Sequence, residues 1–274
     1  MSLVNIIILV TTGIVAGFTG GLIGLGGAFL MTPVQFFVYK RMGLPEDLAI
    51  MTAFGTSLLV VLTTALSGAW RHHRQRAVNW QVAVIMGTTG LVFSYIGSSI
   101  SAQIPGGILK IIFGSIAILA CIRMIIATGE RKESEPVNNP WLWAAWAVPI
   151  GLLSGLLGVG GGVVMIPILV LALRFKMHNA VANSLAVMVF SSLGGIVGYI
   201  VNGSGVAGRL DYSLGYVNLP SWLLLAVPSA IMAQVGAVIA HRIPRKPLMY
   251  IFIVIMLYMG LRMIGVFEWL GWPI

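Results

Sequence analysis

Long apolar stretches dominate this sequence of 274 residues. Eight of them cover residues 3–39, 48–70, 78–103, 107–127, 141–173, 179–202, 219–241 and 247–272. A helix that crosses a lipid bilayer needs about 20 mostly apolar residues, and each stretch reaches that length. Charged residues make up only 8% of the chain, against about 25% in an average soluble domain. The sequence therefore predicts an all-α integral membrane protein, with the lipid bilayer as its surroundings.

The formal net charge of +9 has a topological explanation. Basic residues collect at the cytoplasmic edges of membrane proteins, so the charge does not indicate a nucleic-acid partner. The first apolar stretch has no basic residue before it and is longer than the apolar core of a signal sequence. We therefore expect it to remain in the membrane. The single cysteine, Cys121, has no internal disulfide partner and is expected to pack as a small apolar residue.

The chain contains two copies of one unit. Residues 17–33 (GFTGGLIGLGGAFLMTP) match residues 151–167 (GLLSGLLGVGGGVVMIP) at an offset of 134. Two shorter matches follow in the same order: Thr56-Ser57-Leu58 with Asn183-Ser184-Leu185, and Ile-Pro…Arg-Met-Ile over 104–125 and over 243–264. Three blocks in one order make chance similarity improbable. The sequence predicts a first transmembrane repeat over 1–127, a charged cytoplasmic linker over 128–140 and a second repeat over 141–274.

Matching loops of the two repeats differ in charge. Residues 71–76 (RHHRQR) are basic, whereas the corresponding 203–215 contain only Arg209 as a basic residue. Residues 241–247 contain three Lys or Arg, whereas the corresponding 103–107 contain none. The positive-inside rule explains this difference if the repeats are inverted, with loops 71–76, 128–140 and 241–247 in the cytoplasm and both termini outside. Four bases then lie near the opposite edge: Lys40, Arg41, Arg174 and Lys176.

The first apolar segment of each repeat is interrupted by glycines. It is too long for one straight crossing and too short for two, so it is either a broken helix or a re-entrant hairpin. Broken backbone survives in a bilayer only where protein or a water-filled cavity satisfies its polar groups. Matched breaks in inverted repeats indicate a transporter site near the midplane, where free N–H groups bind an anion. The candidate substrate-binding glycines are Gly24, Gly26, Gly27, Gly158, Gly160, Gly161 and Gly162, with Pro33 and Pro167 as helix-breaking residues.

Small polar residues provide further candidates for substrate binding. Thr56 and Ser57 are matched by Asn183 and Ser184, and Gln35 follows Pro33. Their hydroxyl and amide groups either bind substrate oxygens or hydrogen-bond neighbouring helices. The glycines have a similar alternative, because several of them form GxxxG patterns that serve close helix packing.

The remaining polar residues do not indicate catalysis. Every Asp and Glu lies at a segment end or in a loop, so no carboxylate relay crosses the membrane. The four histidines have no metal-ligand spacing, and no catalytic or nucleotide-binding motif is present. Arg123 and Arg262 lie near segment ends, from which their side chains can extend to the interface. We therefore expect no enzyme activity, no metal and no cofactor.

Together, the glycine blocks with their prolines, the Gly55-Thr56-Ser57-Leu58 run and the two Ile-Pro…Arg-Met-Ile endings resemble the sulfite exporter TauE/SafE family. This family is also called the toluene-sulfonate uptake permease family, and the resemblance covers nearly the whole chain. It implies a transporter in the bacterial inner membrane whose partner is a small sulfur-containing anion, such as sulfite or an organosulfonate. The second repeat has Ala182-Asn183 in place of Gly55-Thr56, so the two halves need not contact the substrate equally.

We therefore expect a secondary transporter that works by alternating access, one half rocking against the other around a midplane site. Two alternatives remain open at this point. One is an anion channel in which carbonyl groups of the glycine breaks form a filter. The other is a non-transporting membrane subunit that uses its GxxxG faces to bind partner helices.

Overall fold

The computed structural model describes residues 1–23, 27–126, 136–239 and 245–269. The described helices are α1 (Leu3–Ile23), α2 (Ala28–Arg41), α3 (Glu46–Arg74), α4 (Trp80–Ser101), α5 (Gly106–Ile126), α6 (Pro140–Leu157), α7 (Gly162–Pro167), α8 (Met177–Gly203), α9 (Leu219–Ile239), α10 (Arg245–Ile264) and α11 (Val266–Trp269). A π-helical turn, Ile168–Ala172, follows α7 directly. Two short strands, β1 (Ser213–Leu214) and β2 (Val217–Asn218), pair in antiparallel fashion before α9. The predicted all-α membrane fold is confirmed.

Seven of the described helices are long and apolar enough to cross a membrane: α1, α3, α4, α5, α6, α8 and α9. Helix α10 contains a shorter apolar stretch, Ile253–Ile264. Large apolar side chains point outward along these helices, for example Leu119, Ile231 and Val254, which are at least 60% exposed. An outer surface of this kind is stable against lipid rather than water.

The two repeats run through the bundle in opposite directions. At its centre α3 crosses α8 antiparallel, because Phe54 lies beside Tyr199 and Gly68 beside Leu185. Helices α1 and α9 run parallel to α3, whereas α4 and α6 run parallel to α8. Helix α1 and its counterpart α6 therefore point in opposite directions, as inverted repeats require.

Residues at corresponding places of the two repeats are called matched below. The offset is 134 between α1–α2 and α6–α7, 127 between α3 and α8, and 139 between α4 and α9. These offsets are those of the three sequence matches described above.

Each repeat pairs its first helix with a helix of the other repeat. Helix α1 packs along α9, where Gly21 approaches Ala233 so closely that an added Cβ would lie 2.1 Å from the Ala233 carbonyl oxygen. Helix α6 packs along α4 in the same way, with Gly155 against Ser94. Gly21 and Gly155 are matched, and so are Ala233 and Ser94. These glycines therefore serve close packing between helices.

The bundle has two polar edges. The linker edge contains residues 75–79, 136–139 and 173–176, and there the Val137 N–H donates a hydrogen bond to the Leu173 carbonyl oxygen. The terminal edge contains residues 42–45, 102–105 and 204–218, and there Asp47 accepts a hydrogen bond from the Gly106 N–H at 2.6 Å. Most of the predicted linker 128–140 lies outside the described residues.

Charge is divided unequally between these edges in the described part of the chain. Eight Lys and Arg and no acid belong to the linker edge, whereas five bases and four acids belong to the terminal edge. The first group is Arg71, Arg74, Arg76, Arg123, Arg174, Lys176, Arg245 and Lys246; the second is Lys40, Arg41, Lys110, Arg209, Arg262, Glu46, Asp47, Asp211 and Glu268. Arg174 and Lys176 were expected near the opposite edge. They lie at the linker edge because the chain turns back after α6 and returns to the edge from which that helix began.

Candidate functional site

The helices on either side of each glycine block form a re-entrant hairpin. In the first hairpin, formed by α1 and α2, Gly27 lies against Ala16 of the preceding helix. In the second hairpin, formed by α6 and α7, Gly161 lies against the matched residue Ile150. The first hairpin enters and leaves at the terminal edge, and the second does so at the linker edge. Of the two structures compatible with the sequence, the chain forms the re-entrant hairpin in each half.

The second helix of each hairpin begins directly after a glycine near the tip. Gly27 precedes α2 and Gly161 precedes α7, and both have left-handed backbone, with φ of 72° and 80°. An added Cβ on Gly27 would lie 2.6 Å from the Ala16 carbonyl oxygen, so a side chain does not fit there. Within the described residues no side chain caps either helix start. The N–H groups of these first turns carry partial positive charge and attract anions.

The other candidate glycines surround the second hairpin tip. Gly158 ends α6 and approaches α3 so closely that an added Cβ would lie 2.4 Å from the Cα atom of Phe54. Gly160 faces Val61 and Met188, and Gly162 is the first residue of α7. The second tip therefore lies between α3 and α8. Gly24 and Gly26 lie outside the described residues.

The prolines differ from the prediction that both break a helix. Helix α2 continues through Pro33 to Arg41, so the first interruption lies at the glycines alone. Pro33 lacks only the N–H that would bind the Phe29 carbonyl, and a single missing bond is tolerated in a membrane helix when protein surrounds it. Pro167 ends α7, and the π-helical turn Ile168–Ala172 follows it.

Ser57 lies at the centre of a buried polar cluster between α2 and α3. Its Oγ accepts hydrogen bonds from Thr32 Oγ1 at 2.9 Å and from Gln35 Nε2 at 2.7 Å. The Tyr39 hydroxyl donates to Gln35 Oε1 at 3.1 Å, and all four residues are fully buried. The structure thus joins Gln35 and Ser57 and adds Thr32 and Tyr39, which sequence reasoning missed. Their helical spacing, at 32, 35 and 39, is the signal that could have revealed them.

Thr56 and Asn183, which are matched, hold the start of a helix from the other repeat. The Asn218 N–H donates to Thr56 Oγ1 at 2.9 Å, and Asn218 lies directly before α9. The matched Asn79 N–H donates to Asn183 Oδ1, also at 2.9 Å, and Asn79 is the N-cap of α4. Both residues therefore have a structural hydrogen bond in this conformation.

Ser184, which is matched to Ser57, lies in apolar surroundings. Its hydroxyl is 3.7 Å from the Met188 sulfur. The residues matched to Thr32, Gln35 and Tyr39 are the apolar Ile166, Leu169 and Leu173. The polar cluster therefore exists in the first half without a counterpart around Ser184.

A cavity of about 50 Å³ lies between α1, α3, α8 and α9. Ala16, which contacts Gly27, lines it, so the cavity lies beside the first hairpin. Arg71 and Gln234 also line it, and Arg71 Nη1 donates to Gln234 Oε1 at 2.9 Å. The same two residues border a wider depression that includes the exposed Trp70. The cavity is therefore on the linker-edge side of the bundle.

Two polar atoms in the cavity wall have no hydrogen-bond partner within the described residues. They are the hydroxyl oxygen of Ser229, which is fully buried, and Nδ1 of His72. Leaving a buried polar group unpaired costs about 1–3 kcal/mol, so these atoms are available to a ligand or an ordered water in the cavity. Sequence reasoning missed this cavity because Arg71 and His72 had already been explained as part of a basic loop.

The matched place in the second half is filled by a side chain. Tyr199, the residue matched to His72, is fully buried, and its hydroxyl donates to the Gly155 carbonyl oxygen at 2.8 Å. The residue matched to Arg71 is Gly198, which packs against Ser98. The protein is therefore hollow near the linker edge and closed by Tyr199 at the matched place near the terminal edge.

Spanning helices, two oppositely directed re-entrant hairpins and a polar cavity beside one of them together define the architecture of a multi-pass membrane transporter. The comparisons identify its family. Residues 9–263 match the family model described as sulfite exporter TauE/SafE, and the chain belongs to this family. The resemblance noted in the sequence is confirmed.

Similar proteins are named as transporters. A probable membrane transporter protein of Methanocaldococcus jannaschii is 33% identical over 258 residues, which are 94% of each chain. The probable membrane transporter protein YunE of Bacillus subtilis is 29% identical over 96% of this chain and 100% of its own. A probable membrane transporter protein of Haemophilus influenzae is 25% identical over 94% of this chain and 97% of its own. No solved structure matches the chain.

Proposed function

We propose that this protein is a secondary transporter that moves small sulfur-containing anions, such as sulfite or organosulfonates, across the bacterial inner membrane. The pair of re-entrant hairpins carries this proposal, because they enter from opposite edges and start helices without side-chain caps inside the bundle. Helix starts of this kind bind anions in transporters with inverted repeats. The acids of the described chain all belong to the terminal edge, so a cation would lack a counter-charge at the hairpin tips.

The substrate-binding groups in this proposal are those of the hairpin tips and the polar residues next to them. The tips contribute the backbone of Gly26, Gly27, Gly160, Gly161 and Gly162, with Gly24 and Gly158 preceding them. Thr56, Ser57, Gln35, Asn183 and Ser184 become available to substrate when their present hydrogen bonds open. We further infer that 1–127 and 141–274 are the two repeats, joined by the linker 128–140.

We infer that the linker edge faces the cytoplasm, because eight bases and no acid of the described chain belong to it. The cavity beside Arg71 is then on the cytoplasmic side, and Tyr199 closes the opposite side. Alternating access requires Tyr199 to leave its carbonyl partner while the region around Arg71 closes. The α1–α9 and α6–α4 pairs are tightly packed and move as units in this scheme.

Transport in proteoliposomes tests the proposal. We expect saturable uptake of radiolabelled sulfite and inhibition of this uptake by thiosulfate or sulfoacetate. Flux that rises in proportion to concentration would indicate a channel, and the absence of any anion binding would indicate a non-transporting subunit.

Gly27→Ala tests the role of the hairpin tip, with Gly43→Ala as its matched control. Both glycines have positive φ, so both substitutions strain the backbone, but Gly43 has no atom within 4 Å of an added Cβ. We expect Gly27→Ala to reduce sulfite affinity and Gly43→Ala to leave it unchanged. Equal affinity in a properly inserted Gly27→Ala variant would contradict the proposal.

A further inference from the structure

We propose that the cavity beside Arg71 is a binding site for a small oxyanion with three or four oxygen atoms, held by the Arg71 guanidinium and the Ser229 hydroxyl. This inference deepens the proposed function and rests on it for the class of substrate. In this proposal, an anion that enters from the linker edge first contacts the side chain of Arg71.

Arg71 has no carboxylate partner among the described residues. Its guanidinium is part-buried at the end of α3 and hydrogen-bonds Gln234, a neutral residue, through Nη1. Among the described residues that line the cavity, none is an Asp or a Glu. A partly desolvated cation without a carboxylate partner attracts an anion strongly, and the planar guanidinium matches two oxygens of one oxyanion.

Ser229 provides an independent observation. Its side chain is fully buried in the cavity wall, and its hydroxyl has no partner within the described residues. A hydroxyl can donate to an anion, so a bound oxyanion would satisfy it. In the part of the chain that the structure describes, His72 Nδ1 is a second atom of this wall without a partner, and it donates when it carries the ring proton. Positive charge and unsatisfied polar groups therefore meet in one cavity.

The size of the cavity selects among anions. Its volume is about 50 Å³, whereas a single water needs about 10–15 Å³. The space is therefore larger than one water needs and suits a small oxyanion. The cavity itself has no room for an aromatic ring beside a sulfonate group in this conformation.

The residues matched to Arg71 and Ser229 lack the charge and the hydroxyl group that line this cavity. Matched to Arg71, His72 and Ser229 are Gly198, Tyr199 and Gly90, none of which is charged. The packing glycines around the cavity are retained in both halves, as Gly68 and Gly195 show by facing Leu185 and Leu58. The scaffold is therefore symmetric, whereas the charge and the unpaired hydroxyl are not.

Anion titration of the purified full-length protein tests the site, with sodium sulfite and sodium sulfate as probes and toluenesulfonate as the larger anion. We expect Arg71→Ala to weaken sulfite binding at least tenfold, since one hydrogen-bonded charge is lost. Arg71→Lys keeps the charge but loses the planar guanidinium, so its sulfite affinity should lie between that of the unmodified protein and that of Arg71→Ala. Arg74→Ala is the matched control. It removes a like charge at the same edge, but Arg74 stacks on Trp70 and does not line the cavity.

Ser229→Ala provides a second test that does not depend on removing a charge. Its hydroxyl has no hydrogen-bond partner among the described residues, so the melting temperature should not fall, while sulfite affinity should fall about tenfold. Ser94→Ala is the control, because Ser94 is also fully buried and unpartnered but lies outside the cavity. If Arg71→Ala misfolds, the Ser229→Ala result decides the question.

The outcomes separate this inference from the proposed function. Saturable sulfite transport with unchanged sulfite affinity in Arg71→Ala and Ser229→Ala would overturn the site and leave the function standing. Binding of sulfate or sulfite that depends on Arg71, in a protein that moves no sulfur anion in proteoliposomes, would support the site and overturn the function. Toluenesulfonate binding as tight as sulfite binding to this cavity would refute the size argument.

Discussion

Tyr199→Phe removes the hydroxyl group whose hydrogen bonds hold α8 against α6 near the terminal edge. The Tyr199 hydroxyl donates to the Gly155 carbonyl at 2.8 Å and lies 3.3 Å from the Leu156 carbonyl and 3.1 Å from Ser101 Oγ. Phenylalanine keeps the ring but removes the donor, so a buried carbonyl oxygen loses its hydrogen bond, which costs about 1–3 kcal/mol. In the proposed alternating-access scheme these bonds exist in one conformation only, so their loss should favour the opposite conformation about 5–150-fold.

A cysteine at residue 98 reports this shift. Ser98 is fully buried beside Gly198, and the single native Cys121 can be replaced beforehand. We expect an impermeant thiol reagent added from the outside to label Ser98→Cys faster by the same factor when Tyr199→Phe is present. Tyr95→Phe, at an exposed position on α4, should not change the rate. Equal labelling rates with and without Tyr199→Phe would refute the assignment of Tyr199 as the closing residue.

Three further predictions concern packing, helix starts and orientation. Gly155→Ala places a Cβ 1.9 Å from the Ser94 carbonyl oxygen and should lower the yield of folded protein sharply, as size-exclusion chromatography will show. Asn183→Ala removes the acceptor of the Asn79 N–H and should cost about 1–3 kcal/mol, measured by denaturant unfolding in detergent; Asn183→Thr should restore part of the loss. Gln75 lies at the linker edge, which is proposed to face the cytoplasm. Gln75→Cys should therefore react with impermeant thiol reagents in inside-out vesicles and stay unlabelled in intact cells.

Helix content and direction could be predicted because they depend on local composition. Apolar length predicted the long helices, and loop charge predicted that the repeats are inverted. The choice between a broken helix and a hairpin depended on a contact between distant residues, Gly27 with Ala16. Local composition does not predict that contact. The same limit explains Pro33, whose cost to α2 depends on what surrounds the helix.

The candidate site was predicted only in part, for a related physical reason. Ser57 and Gln35 lie close together because α2 folds back onto α3, as the interrupted segment allowed. The cavity beside Arg71 needs α1, α3, α8 and α9 to assemble, and Ser229 is a single hydroxyl in an apolar helix of the other repeat. A basic residue at a membrane edge has a sufficient topological explanation, so the pattern around Arg71 did not indicate a ligand.

The exchange of helix partners between the repeats has an evolutionary consequence. A single repeat contains α1 but not α9, so its glycine face, with Gly17 and Gly21, would have no close-fitting partner of its own. Two copies of one such chain complete each other only when they insert in opposite orientations, since α1 and α6 run antiparallel. A protein with this fold therefore descends most simply from a dual-topology dimer, whose two orientations became permanent when the gene was duplicated and fused.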